Sequence, residues 1–325
     1  MKRRARALFA LPPLLALATA VLVVDLPLYS IEPGEVREVV PLVEVRGLRT
    51  YQPRGRLLMT TVSLGRLTPV EAIDAWLDDS REVVPEREVL DRGETDRDYR
   101  RTSRSQMDQS KLSAAAFAID LLTPYPQTNG RGVLVHDVIE GSASDGVLVP
   151  GDRIVGVAGE RVDGIDDMER VLDEVRRRAV RLDLRVDGER ETVTVRPRPV
   201  EPGGAPVLGI VALEAFPYGV AIDSDDTGGP SAGLMYALAL IDVLTPGDLT
   251  AGRTVAGTGA VDPEGSVRGV GGVPLKIRAA ERAGADVFLV PKDNLEEARA
   301  ARPEVRLVAV ESVEDAIRAL ERGAA

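Results

Sequence analysis

The amino-acid sequence predicts a multidomain α+β protein with an N-terminal transmembrane helix, a β-rich unit and a C-terminal α/β unit. With 325 residues, the chain is long enough for two or three domains. A basic stretch followed by an apolar run begins it, short alternating strands fill its middle, and Gly-rich loops alternate with strands and helices towards its end. We place the boundaries at 1–30, 31–112, 113–200 and 201–325.

Composition excludes several classes of function. The net charge of −11 argues against a nucleic-acid-binding protein, because phosphate repulsion would be offset only by the short basic N-terminus. The chain has no cysteine and one histidine, His136, so thiolate nucleophiles and His- or Cys-rich metal sites are excluded. No Gly-x-x-x-x-Gly-Lys-Ser/Thr run occurs, so a P-loop ATPase is excluded as well. We expect no metal and no cofactor.

The first element is the apolar run Ala7–Val24, which follows Lys2, Arg3, Arg4 and Arg6. About 18 apolar residues lie at the lower limit for crossing a bilayer core of about 30 Å. The positive-inside rule then predicts a single-pass protein of the cell membrane with the bulk of the chain outside the cytoplasm. Ala18-Thr19-Ala20 resembles a signal-peptidase site, so a cleaved signal peptide is the competing interpretation.

Residues 31–112 carry no clear chemical motif. Val36–Val45 and Leu57–Leu64 alternate enough to be strands, and Pro69–Leu77 is typical of a short helix. The charged run Glu82–Arg104 predicts a solvated face or loop. Ser110–Leu122 predicts an amphipathic helix that leads into the next unit.

The unit from 113 to 200 is predicted to be mainly β. Strands are expected at Gly132–Val135 and Arg153–Val157, a helix at Asp166–Arg178, and a hairpin of Val180–Val186 and Glu191–Val195. His136 is interpreted as an ordinary strand residue on a half-exposed face. The Pro- and Gly-rich stretch Val200–Pro206 predicts a linker.

This order of elements, with Gly-Asp before Ile-Val-x-Val-x-Gly, resembles a PDZ domain of the kind attached to bacterial proteases. The resemblance implies that an extended peptide, often the C-terminus of another protein, adds as a strand beside Gly132, Val133, Leu134 and Val135. One departure is that no clean Gly-hydrophobic-Gly-hydrophobic loop precedes this strand; Asn129–Gly132 is the nearest candidate.

The chemistry is predicted to lie beyond residue 206. Ser231, in the run Gly-Gly-Pro-Ser-Ala-Gly, stands where a Gly-rich loop meets a helix that is apolar nearly all round. Unpaired N–H groups at such a helix start can hold a developing oxyanion, and Gly229 and Ser231 are the expected donors, since Pro230 has none. Taken alone, the same pattern also fits a helix cap or a phosphate-binding loop.

Lys276 is one of only four lysines and follows a second Gly-rich segment at the predicted start of a helix. Apolar neighbours and the helix dipole both favour the neutral amine, which lowers its pKa towards the range a general base needs. A surface lysine on an amphipathic helix is the alternative. Since His136 is expected in another domain, Lys276 is the base that a catalytic Ser231 would use.

The order and spacing of these motifs resemble the proteolytic domain of Lon proteases. Gly-Pro-Ser231-Ala-Gly, Thr258-Gly, Gly-Gly-x-x-x-Lys276 and Val290-Pro291 with Asn294 carry the resemblance. Together with the apolar run and the PDZ-like unit, the whole sequence resembles membrane-anchored, PDZ-containing Lon-like serine proteases. This implies Ser231 as nucleophile, Lys276 as general base, Thr258 as the residue that orients the lysine amine, protein or peptide substrates, and a ring-shaped homo-oligomer.

Two departures from the Lon pattern bear on this interpretation. Many Lon enzymes have an acidic residue three positions before the serine, where this sequence has Gly228; Asp225 or Asp226 could do part of its work. The ATPase module is missing from these residues, so the predicted endopeptidase is independent of ATP. The alternatives are a C-terminal-processing protease with a Ser–Lys pair, a catalytically inactive PDZ scaffold and, more remotely, a small-molecule phosphotransferase.

Overall fold

The computed structural model describes residues 22–78, 80–175, 178–186, 188–199 and 205–323. The helices of eight or more residues are α1 (Pro69–Trp76), α2 (Asp96–Leu122), α3 (Ile165–Val175), α4 (Gly233–Leu244), α5 (Val273–Arg282) and α7 (Val313–Arg322), with the short α6 (Leu295–Ala300) between the last two. The strands are β1 (Leu28–Glu38), β2 (Val43–Arg46), β3 (Arg56–Arg66), β4 (Glu82–Pro85), β5 (Val133–Val138), β6 (Arg153–Val157), β7 (Glu160–Arg161), β8 (Val180–Val186), β9 (Glu189–Val195), β10 (Ile210–Glu214), β11 (Gly219–Ile222), β12 (Thr254–Gly257), β13 (Ala260–Val261), β14 (Val267–Arg268), β15 (Val287–Pro291) and β16 (Arg306–Val310).

A six-stranded mixed sheet joins the two ends of the described residues. Its order is β16-β15-β12-β3-β1-β4, with parallel pairs from β16 to β3 and antiparallel pairs from β3 to β4. The central contact is β3 beside β12, where Leu58 pairs with Ala256. The sheet therefore combines segments that the sequence assigned to separate regions, 31–112 and 201–325.

The first half of strand β3, Leu57–Thr60, is buried on both faces, as expected for a strand covered by helices on each side of the sheet. Leu57 and Met59 lie in the same core as helix α4, while Leu58 packs on the opposite face with Phe288 and α5. Helix α4 is buried along nearly its whole length, which agrees with a sequence that is apolar all round. The sheet is thus sandwiched between α4 on one face and α5 on the other.

The β-rich unit is a second sheet of order β10-β5-β6-β8-β9, with β7 paired to β6. The predicted strands and hairpin are present, and helix α3 packs on the sheet over a core that includes Ile154, Met168 and Leu182. The sheet also contains β10, which the sequence had not identified as a strand. Because β10 pairs with β5 through a long-range contact, no local pattern revealed it.

Helix α2 begins well before the predicted start at Ser110. Thr95 caps it, and its side chain accepts from the Asp98 N–H while the Asp98 side chain accepts from the Thr95 N–H. This capping box explains why part of the charged run 82–104 is helical rather than a loop. The helix has 27 residues and packs along α4, so it reaches both the β-rich unit and the loop that carries Ser231.

The predicted transmembrane helix, and the single-pass membrane location derived from it, are corrected by the structure. Across the described residues, no helix combines the length and the apolar character that crossing a bilayer requires. The apolar run Ala7–Val24 falls mostly in residues 1–21, which lie outside the described residues.

Candidate active site

Ser231 lies in a turn two positions before the first residue of α4 and is half-buried. The N-cap position of α4 is occupied by Ala232, which makes no side-chain capping bond. Ser231 is therefore not the capping residue that the alternative interpretation required. Its hydroxyl stands beside the N-terminal end of a buried helix, where unpaired N–H groups and the helix dipole favour a negative charge.

Lys276 is in the first turn of α5 and is only 3% exposed. The helix begins after Gly272, whose φ of 71° is left-handed, and Pro274 follows within the first turn. Burial lowers the pKa of the Lys276 amine to about 8, while the charge of Glu297 acts in the opposite direction. An amine with this pKa is partly neutral near neutral pH and can accept a proton.

Thr258 connects the serine and the lysine. It follows the carboxyl end of β12, is fully buried, and its N–H donates to the Leu289 carbonyl of β15 at 3.1 Å. The Lys276 Nζ donates to the Thr258 Oγ1 at 3.2 Å, and the Thr258 Oγ1 donates to the Ser231 carbonyl at 3.1 Å. The structure thus brings together the three residues that the sequence singled out from three separate segments.

The backbone around Ser231 is held by two further bonds. The Gly259 N–H donates to the Ser231 carbonyl at 2.8 Å, and the Leu234 N–H donates to the Gly259 carbonyl at 3.1 Å. The segment after Thr258 therefore runs against the start of α4 and fixes it. The peptide unit held in this way joins Ser231 to Ala232, so the bonds fix the backbone on the carboxyl side of Ser231 at the start of α4.

Gly229 does not have the role the sequence suggested. Its N–H donates to the Ser103 carbonyl of α2 at 2.7 Å, so this group is already used. Of the two expected oxyanion donors, the Ser231 N–H remains. The contribution of α2 was missed at the sequence level, because no motif marked Ser103 or Ser110 as neighbours of the serine loop.

Helix α2 also explains the glycine that replaces the acidic residue of many Lon enzymes. A Cβ at Gly228 would lie 2.8 Å from the Ser103 Cβ and 3.3 Å from its carbonyl carbon. Any side chain at 228 therefore conflicts with the packed helix. Asp225 and Asp226 point to other partners, since they form exposed ion pairs with Arg37 and Arg104.

The histidine lies in the β-rich unit, on strand β5. Its Nε2 is 2.8 Å from the Ser113 Oγ of α2, and burial lowers its pKa. Its described polar contact is therefore with α2 and not with Ser231, in agreement with the interpretation of His136 as a strand residue.

The predicted peptide-binding segment requires a correction of place. Strand β5 pairs with β10 on one edge, where Val133 faces Glu214 and Val135 faces Ala212. On the other edge Val133 and Leu134 pair with β6, and the Val135 N–H donates to the Asp152 carbonyl at 2.8 Å. Both edges of the segment 132–135 are occupied, so a peptide cannot add there as a strand without displacing one of its neighbours.

Comparison with known proteins supports the resemblance over the segment that contains the three site residues. Residues 219–321 match the model of the Lon protease (S16) C-terminal proteolytic domain. The sequence is 40% identical over 93 residues to the Lon protease of Roseiflexus castenholzii, a match that covers 27% of this protein and 11% of that one. It is 36% identical over 94 residues to the Lon protease of Clostridium beijerinckii, covering 28% of this protein and 12% of that one. The chain therefore spans a small fraction of these relatives' length.

Among solved structures, the PDZ domain of the SdrC-like protein from Listeria innocua aligns with 25% of this protein and 92% of its own length, at 21% identity and a TM-score of 0.24. A score this low decides nothing about the β-rich unit. The match to the Lon proteolytic domain is thus the finding that the comparisons add, and it spans Ser231, Thr258 and Lys276.

Proposed function

We propose that the protein is a serine endopeptidase in which Ser231 is the nucleophile and Lys276 the general base. The observation that carries the proposal is the buried Lys276 amine, with its pKa lowered to about 8, bonded to the same Thr258 hydroxyl that holds the Ser231 carbonyl. A lysine in this setting activates a hydroxyl without a histidine, as in other Ser–Lys variants of the catalytic triad.

In the proposed reaction, the neutral Lys276 amine takes the proton of the Ser231 Oγ as that oxygen attacks the peptide carbonyl. The Ser231 N–H donates to the oxyanion, and the charge on the lysine is then relieved by proton transfer to the leaving amine. Water hydrolyses the acyl-enzyme by the same path in reverse. The steps require no cofactor and, with no P-loop in these 325 residues, no ATP, so the substrates are flexible proteins or peptides.

The test is cleavage of an unfolded casein-like protein by residues 22–325 and by Ser231→Ala and Lys276→Ala. Each variant is expected to lose at least about a thousandfold in kcat/KM. The wild-type kcat/KM should rise with pH and level off above about 8, since the amine must be neutral. Ser266→Ala and Lys292→Ala are matched controls, because both residues are exposed. Equal cleavage by all forms would exclude the Ser–Lys pair, and an inactive wild type would favour a scaffold.

We further propose that the β-rich unit binds extended peptides along the outer edge of β10. This strand ends the sheet, and among the described strands only β5 pairs with it. Helix α3 lies against β10, and Val211 is 44% exposed. Leu208 and Gly209 precede the strand and Ile210 begins it, so the last three positions of a Gly-hydrophobic-Gly-hydrophobic loop are present here, with Val207 in place of the first glycine.

Hydrogen exchange tests this second proposal. A peptide with an apolar C-terminus should slow exchange in 210–214, because an added strand bonds to free backbone groups of the edge. Exchange in 133–135 should not change, since those residues are already paired on both sides. Protection confined to the opposite edge strand, β9, would contradict it.

A further inference from the structure

Three arginines stand in one row across the β-rich unit. Arg153 of β6 pairs directly with Arg185 of β8, and Arg185 pairs directly with Arg190 of β9. Directly opposite residues in antiparallel strands project from the same face. On β8 this face alternates with the buried Val180, Leu182 and Leu184, so the row lies on the side away from the unit's own core.

Folding alone does not account for this row. Like charges directly opposite each other destabilise a sheet, and here two such pairs share Arg185. The nearest acid on the same strand, Asp183, is engaged by Arg181 at 3.4 Å and by the Thr192 hydroxyl at 3.1 Å. Within the described residues, no carboxylate forms an ion pair with a member of the row.

The unfavourable crowding of positive charge is clearest at Arg153. Burial, followed by the charge of Arg185, lowers the pKa of its guanidinium. The only polar contact described for Arg185 is to the Gly188 carbonyl, at 3.1 Å. The row is therefore a set of positive groups held close together and short of counter-charge, and its member Arg153 is partly buried.

The row lines an open groove of about 690 Å³. Arg131, two residues before β5, borders the same groove, and the walls of the groove carry six arginines against three carboxylates. This excess of positive charge lies on a protein whose net charge is −11, so it is a local feature and not a reflection of composition.

We propose that this arginine groove, defined by Arg131, Arg153, Arg185 and Arg190, binds an acidic segment of a protein. Neighbouring strands are about 4.8 Å apart, so the outer two arginines of the row are roughly 10 Å apart. Carboxylates at alternate positions of an extended peptide are about 7 Å apart, so two of them fit within the length of the row. The planar guanidinium fork suits bidentate contact with such carboxylates. Nucleic acid is disfavoured because the rest of the surface would repel its phosphates. The role of the groove in recruiting acidic substrates rests on the proposed peptidase function, whereas the binding site rests on geometry alone.

The experiment measures fluorescence anisotropy of a labelled ten-residue Glu-Ser repeat with an amidated C-terminus, which leaves no free carboxylate for the β10 edge. The triple variant Arg153→Gln/Arg185→Gln/Arg190→Gln should bind at least about tenfold more weakly than the wild type. Wild-type binding should weaken as NaCl rises. Arg318→Gln removes one positive charge from an exposed ion pair on α7, is the matched control for the single variant Arg190→Gln, and should bind as the wild type does.

Unchanged binding by the triple variant, equal binding of a Gln-Ser repeat, or tighter binding of a single-stranded oligonucleotide would overturn the proposal. Arg185→Gln alone should bind more weakly yet unfold at the same or a higher temperature, since it removes repulsion. If the triple variant does not fold, Arg190→Gln, at an exposed position, provides the same comparison. Ser231→Ala should bind like the wild type, so a failure of the groove is distinguishable from a failure of the peptidase proposal.

Discussion

Lys276 shows how a single residue can be costly to the fold and useful to the chemistry. Its amine is almost fully buried in the first turn of α5, and its described side-chain hydrogen bond is to an uncharged hydroxyl. Because burial disfavours the charged form, its pKa falls from 10.5 to about 8. The protonated amine therefore destabilises the folded state at neutral pH.

We predict that Lys276→Met stabilises the protein at pH 7 by up to about 3 kcal/mol, at 1.36 kcal/mol per unit of pKa. Below about pH 8 both the folded and the unfolded protein hold the proton, so the cost is fully present. Between about pH 8 and 10.5 only the unfolded protein keeps it, and the stability of the wild type rises with pH. Urea unfolding of both proteins at pH 7 and pH 10.5 measures this. If the free energy of unfolding gained by Lys276→Met were as large at pH 10.5 as at pH 7, Lys276 would not be buried in its charged form.

Thr258 is predicted to act as a positioning residue through its hydroxyl. Thr258→Val keeps the shape of the side chain but removes the bond from Lys276 and the bond to the Ser231 carbonyl. We expect kcat to fall about ten- to a hundredfold, because both reactive groups lose a fixed orientation. Thr258→Ser should restore most of kcat. A loss equal in both variants, with unchanged pH dependence, would indicate a packing role instead.

At the scale of elements, α2 decides the surroundings of the serine loop. It approaches so closely at Ser103 that position 228 must be glycine, and at Ser110 its hydroxyl donates to the Pro230 carbonyl at 2.9 Å. A helix outside the segment matched by the Lon model thus supports the loop that the match contains.

Gly228→Ala should therefore destabilise the protein by about 1–3 kcal/mol, the usual cost of overpacking. Gly65→Ala is the matched control, because a Cβ there meets nothing within 4 Å. Thermal unfolding of both variants measures the difference. Adding Ser103→Gly removes the opposing Cβ and should recover part of the loss. If the double variant were no more stable than expected from adding the two single effects, the contact with Ser103 would not be the cause.

The features that could be predicted from the sequence are those with a local signal. Three of them follow from a short pattern of apolar, Gly or alternating residues: the buried helix after Ser231, the lowered pKa of Lys276 and the β8–β9 hairpin. The use of the Gly229 N–H and the edge position of β10 could not be predicted in this way. Both depend on partners distant in sequence, Ser103 and β5, and pairing between distant segments leaves no periodic signal in either one.

At the scale of the whole molecule, the sheet that supports the candidate active site is completed by the N-terminal strands. Thr258 follows β12, and β12 lies between β15 and β3. Leu57 and Met59 of β3, with Phe117 and Ile119 of α2, share the core of α4. The segment 205–323 therefore contains the three site residues but lacks one side of the core and the neighbour of its central strand.

We predict that residues 205–323 alone do not fold, although they include the whole segment 219–321 that matches the Lon proteolytic domain. The fragment would expose the edge of β12 that faces β3 and the faces of α4 that β3 and α2 cover. It would also lose buried leucine, methionine and phenylalanine side chains, each of which contributes about 1.5–3 kcal/mol to the stability of the fold. Hydrogen exchange should show few protected amides in the fragment, and casein cleavage should be absent.

Residues 22–325 keep every described element and are the control, expected to show slow exchange in β12 and β15. Co-expression with residues 22–199 should restore protection, because it supplies β1, β3 and α2. A fragment that is protected and active by itself would show that the shared sheet is dispensable for the candidate site.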